Sequence, residues 1–277
     1  MNLPDRDPDR TPAPPPPSNR AFDAGRAWNE AVVMLKANRQ VLTVLAGLFF
    51  LVPQVLLSAL MPDVAPGLEG EEAAKAALAI FASWWPLILL ATLLQGVGML
   101  AIIVLLADRA RPTVRDAIGR AFRLLPSYIA ATLVLVAGIG LCALLILIPL
   151  TLIAGQAGAG IAMVPIMIAA LWVNVRTITL APLVGAERET NPFDALRRSW
   201  ALTNGRGGRI LTFMLLFVIA ALVLSIVITA IPGAVLIAAL GQDTGGAIAG
   251  LIEGLVSAAL LLVWSVVVLA IYRQLAG

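Results

Sequence analysis

Residues 128–152 read YIAATLVLVAGIGLCALLILIPLTL, a stretch without one charged side chain. A run of ~20 apolar residues, rising ~1.5 Å per residue as a helix, crosses the ~30 Å hydrocarbon layer of a bilayer. Inside lipid every backbone N–H and C=O must be satisfied within the segment, so the run is a helix, and the strict alternation of a strand is absent. Five further runs have the same character, at residues 41–60, 84–107, 160–183, 210–232 and 248–272. The fold expected is all-α and integral to a membrane, with six transmembrane helices.

Just ahead of residues 128–152 stands the triplet Arg120-Ala121-Phe122, with Asp116-Ala117 before it. Two other triplets match it: Arg26-Ala27-Trp28 after Asp23-Ala24, one residue closer, and Arg198-Ser199-Trp200 after Asp194-Ala195. The three precede spans one, three and five. That placement predicts one unit used three times, a basic amphipathic helix in the headgroup layer leading into a membrane-crossing hairpin. In the second lead Val114, Ile118, Ala121, Phe122 and Leu125 form an apolar stripe, with Arg115, Arg120 and Arg123 elsewhere. In the third, Asn191 suits the N-cap, Pro192 the first helical position and Asp194 the positive helix end. Phe193, Leu196 and Trp200 then share a face beside Arg197 and Arg198, and Asn204-Gly205 with Gly207-Gly208 stop the helix. The first stripe, Phe22, Trp28, Val32 and Leu35, is interrupted by Gly25. Such helices act as juxtamembrane anchors, with arginine toward anionic headgroups and the aromatic at the interface; recognition of a particular lipid or partner is the sharper alternative.

Composition agrees with this reading. Of 277 residues 60% are hydrophobic and 13% charged, with mean hydropathy +0.96, whereas soluble domains carry roughly a quarter charged residues. With the N-terminus in the cytoplasm, the alternation of six spans puts every Lys and Arg except Lys75 on the cytoplasmic side. The opposite side holds Asp63, Glu69, Glu71, Glu72, Asp243 and Glu253. The positive-inside rule therefore places both termini in the cytoplasm. Residues 1–20, rich in Pro, Asp and Arg, form a disordered tail before a membrane domain over 21–277. No apolar core with a small-residue cleavage site follows that tail, so span one is expected to act as an uncleaved insertion signal.

Catalysis has little to work with. The chain has no His, and its one cysteine, Cys142, lies inside span three as a small apolar residue. Without a His there is no usual general base, no commonest zinc ligand and no partner for a nucleophilic Ser or Cys. No Gly-rich loop ends in Lys-Ser/Thr, and no carboxylate pair lies in a span. The expectation is a protein that is not an enzyme, with no cofactor, no metal and no nucleic acid to bind.

The third lead also carries a resemblance. Ala181-Pro182-Leu183-Val184, Glu187, the run Asn191 to Trp200 and Thr203-Asn204-Gly205-Arg206 resemble bacterial proteins of the glycerophosphoryl diester phosphodiesterase membrane-domain family. Those carry a proline and an acid after the fourth span, then an Ala-Leu-Arg-Arg-Ser-Trp-type helix and a Gly-Arg. The resemblance implies a six-helix bacterial inner-membrane domain without an established activity, here without the phosphodiesterase domain to which the family is elsewhere fused.

Polar groups within spans are where transport would show. Arg176 follows Trp172 and Asn174 near the inner end of span four; it can snorkel, pair with Glu187 or Asp108, or meet a substrate. Glu253 is either the wet outer end of span six or a protonation site. Gly246, Gly250, Gly254 and Ala258 recur every four residues, a smooth seam for an internal or an oligomeric contact. Gly96, Gly98, Gly138 and Gly140 offer further close contacts, and Pro53 and Pro165 should kink spans one and four. Two functions remain. One is a non-catalytic envelope, lipid-associated or scaffold protein contacting anionic lipid and a membrane-protein partner or second copy. The other is a small-molecule or lipid transporter with a threefold hairpin repeat.

Overall fold

A computed structural model describes residues 22–62, 67–108, 112–187 and 191–276. The expected tail at 1–20 lies outside the described residues, as do Asp63, Arg109, Arg111 and Arg188. Among the described residues the chain is helical and has no strand. The helices are α1 (Ala24–Ala37), α2 (Arg39–Leu60), α3 (Gly70–Ala107), α4 (Val114–Gly155), α5 (Gly160–Glu187), α6 (Pro192–Leu202), α7 (Gly207–Gln242) and α8 (Thr244–Ala276). Six of these, α2, α3, α4, α5, α7 and α8, are long and apolar enough to cross a membrane. The chain is an integral membrane protein.

Each apolar run sits inside a longer helix. At 38 residues, α3 extends about 57 Å, nearly twice the ~30 Å hydrocarbon layer. Residues 114–127, expected as a separate lead, are continuous with the third span in α4. Thr113 caps this helix, its hydroxyl accepting from the Asp116 N–H at 3.2 Å and donating to the Asp116 carboxylate at 2.7 Å. Pro126 stands near the join of lead and span, with no stop like Asn204-Gly205, and the helix runs through. The third lead is capped as its sequence predicts: Asn191 Oδ1 accepts from the Phe193 N–H at 3.1 Å, Pro192 follows, and Gly205 beyond the end has φ +72°.

Pro53 does not kink its helix by a plain break. A π-turn at Gly47–Leu51 stands before it, in which the Val52 N–H reaches back to the Gly47 carbonyl. The same device stands before Pro232, at Ile226–Ala230, where the Ile231 N–H reaches the Ile226 carbonyl. Widening the turn gives room for the proline ring where it meets the preceding turn of helix. Pro165, also expected to kink, leaves α5 uninterrupted; the bond it forgoes is to the carbonyl of Ile161, in the helix's opening turn. The irregularity in α5 lies instead at Thr177–Thr179, where the backbone passes through a turn before resuming at Leu180.

Packing concentrates at one end. Val97 to Val104 of α3, Val175 to Val184 of α5 and Val266 to Tyr272 of α8 supply most of the core, with Leu42, Leu45 and Phe50 of α2 and Ile210 of α7. All lie toward the Arg-rich ends of their helices. Phe49 and Phe50 press on Gly98, where an added Cβ would stand 2.5 Å from Phe49 Cβ. Toward the other end Leu133, Val136, Leu145, Leu152 and Ile153 of α4 are exposed, as lipid-facing side chains are, because hydrocarbon solvates leucine as well as a protein core does.

Candidate functional site

The three triplets share a buried middle position, of which only Ala121 belongs to a stripe read from the sequence. Their middle residues, Ala27, Ala121 and Ser199, are each 0% exposed, whereas Trp28, Phe122 and Trp200 are 43%, 52% and 44% exposed. A second small, fully buried residue lies four away in each case: Ala31, Ala117 and Ala195. These i, i+4 pairs are the packing face, and small side chains there let the helix axes come close. Thus α1 lies on α8, Phe22 just ahead of it stands edge-on to Phe213 of α7 at 6.0 Å, and α6 lies on α5. Of the stripe Phe193, Leu196 and Trp200, Phe193 faces outward, whereas Leu196 and the half-exposed Trp200 border a groove between α4 and α5. The pattern of small residues at i and i+4 was the available signal.

Ion pairs register each lead against the end of a long helix. Arg120 Nη1 meets Asp108 Oδ2 at 2.6 Å, and Arg198 pairs with Glu187, which also accepts the Tyr272 hydroxyl. In the first lead the signs are exchanged: Glu30 meets Arg273 Nη1 at 3.4 Å, while Arg273 Nη2 donates to the Leu106 carbonyl at 2.5 Å. These pairs are partly solvated, so each contributes at most ~1 kcal/mol; their larger consequence is register. Asp108, Arg120, Arg123, Gly185 and Glu187 border a cleft of about 600 Å³ at this end. Arg26 and Arg197 point outward and are exposed.

Ser199 has a further task. The turn at Thr177–Thr179 takes the Arg176 carbonyl out of regular helical bonding, and that carbonyl accepts from Ser199 Oγ at 2.9 Å and Thr203 Oγ1 at 3.3 Å. Ser199 Oγ also lies 2.8 Å from Thr179 Oγ1. A polar group in an apolar surround must find a partner or bear a desolvation cost, which explains a serine where the other leads carry alanine.

Arg176 does not take Glu187, whose carboxylate is engaged by Arg198 and Tyr272. Its guanidinium carbon lies 4.9 Å from the centre of the Trp172 ring and 5.4 Å from that of Trp200. Nη1 reaches Asn204 Oδ1 only at 3.4 Å, and Nε is buried without a hydrogen-bond partner. Asn174 borders a niche of about 210 Å³ with Tyr128, Thr132 and Thr177, and is not gathered with Arg176 at one site. Glu253 is exposed, and lies twenty residues before Arg273 on α8, about 30 Å along the helix at ~1.5 Å per residue. That spacing equals one hydrocarbon thickness.

The small-residue seam of α8 faces α2 within the same chain. A Cβ at Gly254 would stand 3.1 Å from Val55 and one at Gly250 3.6 Å from Ser58 Oγ; Ala258 is buried. Gly246 has open space around it, as do Gly138 and Gly140, contrary to expectation, while Gly96 meets Leu125. Among the described residues no group of three or more His, Cys, Asp or Glu could hold a metal ion.

No curated protein and no solved structure gives a match. Residues 148–276, a little under half of the chain and including α5 to α8, match the model of the family described as the membrane domain of glycerophosphoryl diester phosphodiesterase, the family that residues 181–206 resemble.

Proposed function

We propose that this is a non-catalytic, lipid-associated protein of the bacterial inner membrane, with both termini cytoplasmic and three membrane-crossing hairpins, the first and third introduced by a separate helix in the headgroup layer and the second by the opening turns of α4 itself. The observation that carries the reading is the two-sidedness of the leads. Each turns a small buried residue to the body and leaves an aromatic about half exposed, Trp28, Phe122 or Trp200, with Arg26 and Arg197 exposed on the same helices. Exposed arginine and tryptophan are the side chains that settle among anionic headgroups. The family description points the same way, since glycerophosphoryl diesters are what phospholipids leave on losing their acyl chains. The ion pairs to Asp108, Glu187 and Arg273 then hold the three leads in fixed register, as a scaffold for lipid or for a membrane-protein partner requires.

Mild extraction followed by quantification of co-purified lipid and protein tests this. Anionic phospholipid should be enriched over its share in the surrounding membrane, and Arg26→Gln with Arg197→Gln should reduce the enrichment. Lipid at the bulk ratio, with no partner retained, would overturn the reading.

Transport is the second reading, and the niche at Asn174, Tyr128, Thr132 and Thr177 is what favours it. Solute flux in proteoliposomes that vanishes in a folded Asn174→Leu variant would establish transport in place of scaffolding.

A further inference from the structure

We infer that the groove between α4 and α5 seats one acyl chain of an anionic diacyl phospholipid whose phosphate is held by Arg176. This rests on the lipid-associated reading above and gives it a site. The groove, about 380 Å³, is apolar and runs along α4 from Val134 to Ile146 and along α5 from Ile166 to Val173. Twelve residues of helix make it about 18 Å long, the proportions of an extended chain. Trp200 of α6 closes its Arg-rich end, and the same indole flanks the Arg176 guanidinium. One side chain therefore joins an apolar slot to a cation, the layout an amphiphile requires.

Among the described residues no carboxylate pairs with this cation. The two indoles lie against Arg176, Asn204 is at the limit of hydrogen bonding and Nε has no partner, while Glu187 is taken by Arg198 and Tyr272. Indole rings attract a guanidinium without neutralising it. Its N–H fork matches a phosphate's two oxygens. Arg197, three residues before Trp200 and exposed, adds positive charge beside the mouth. A phosphate whose glycerol carries an acyl chain would satisfy groove and cation together.

The test uses the full chain, delipidated in mild detergent and titrated with phosphatidylglycerol or glycerol phosphate, bound species being counted by native mass spectrometry. Phosphatidylglycerol should bind, and Arg176→Gln should weaken it about tenfold, the scale of one hydrogen-bonded charge. Gly138→Leu supplies an independent variant: Gly138 lines the groove and an added Cβ has open space around it, so leucine extends into the slot and favours the helix. It should lose phosphatidylglycerol while its thermal midpoint holds or rises. Retention unchanged in both variants, or glycerol phosphate competing as well as the lipid, would overturn the site. Failure of the wild type to hold any phospholipid would instead overturn the lipid-associated reading itself.

Discussion

At the scale of single residues, the middle of each Arg–small–aromatic triplet decides more than its ends. Ala121 is fully buried while its neighbour Phe122 is half exposed. Ala121→Leu should therefore overpack the contact and cost ~1–3 kcal/mol, whereas Phe122→Ala should stay within ~0.5 kcal/mol, as surface changes do; thermal unfolding in one detergent compares them. Equal losses would put Phe122 in the packing face. Ser199→Ala keeps the volume nearly unchanged but leaves the Arg176 carbonyl with only its longer bond to Thr203. The expected loss is ~1–3 kcal/mol, with Ser199→Thr and Ser199→Ala separated by the same melting assay. A Ser199→Ala variant as stable as the wild type would remove the hydroxyl's structural role. The sequence makes the arginines and aromatics conspicuous because they are large and charged. A single Ala in a helix, such as Ala27 or Ala195, reads as propensity, and only the i, i+4 recurrence tells of contact.

At the scale of elements, caps and turns were legible to different degrees. Asn191-Pro192 declares its helix start because side-chain acceptor and ring both suit that place. The prolines were less informative: the same residue gives a π-turn before Pro53 and Pro232 but no interruption at Pro165. Where the lost bond falls along the helix, and what packs beside it, decides the result, and neither is local in sequence. The turns that end α4 and α7 are made by Gly155 and Gly241, with φ of +59° and +81°. Each is followed by a glycine lying against a carbonyl five residues before the break: Gly158 on Leu150 and Gly245 on Leu236, where an added Cβ would stand 2.0 Å and 2.4 Å from the oxygen. This shared construction was hidden in a chain with 23 glycines. Gly155→Ala and Gly241→Ala should each cost ~1–2 kcal/mol, because a Cβ is strained at positive φ. Gly140→Ala, in open helix, should instead be neutral or gain ~0.5–1 kcal/mol. Chemical or thermal melts of the three variants decide whether the turns need glycine.

At the scale of the whole molecule, the six spans could be read because hydropathy alone identifies a helix that prefers hydrocarbon. The location of the core could not be read, because Val266 to Ile271, fully buried, and Leu141 to Leu145, largely exposed, are equally apolar. Lipid and protein neighbours ask the same composition of a side chain, so contact is decided by shape and by polar registers such as Arg273 with Glu30. Orientation rests on a different physics, the retention of Lys and Arg on the cytoplasmic side during insertion, and it can be tested separately from packing. The single cysteine makes this direct: Cys142→Ala yields a chain without thiols, into which Glu72→Cys or Lys36→Cys is placed, both at exposed positions at opposite ends of spans one and two. In intact spheroplasts a membrane-impermeant maleimide should label the cysteine at 72 and spare that at 36 until the membrane is opened. The reverse pattern would place the Arg-rich end, its three leads and the Arg176 site on the outer surface. Labelling of both before permeabilisation would mean that α2 does not cross the membrane.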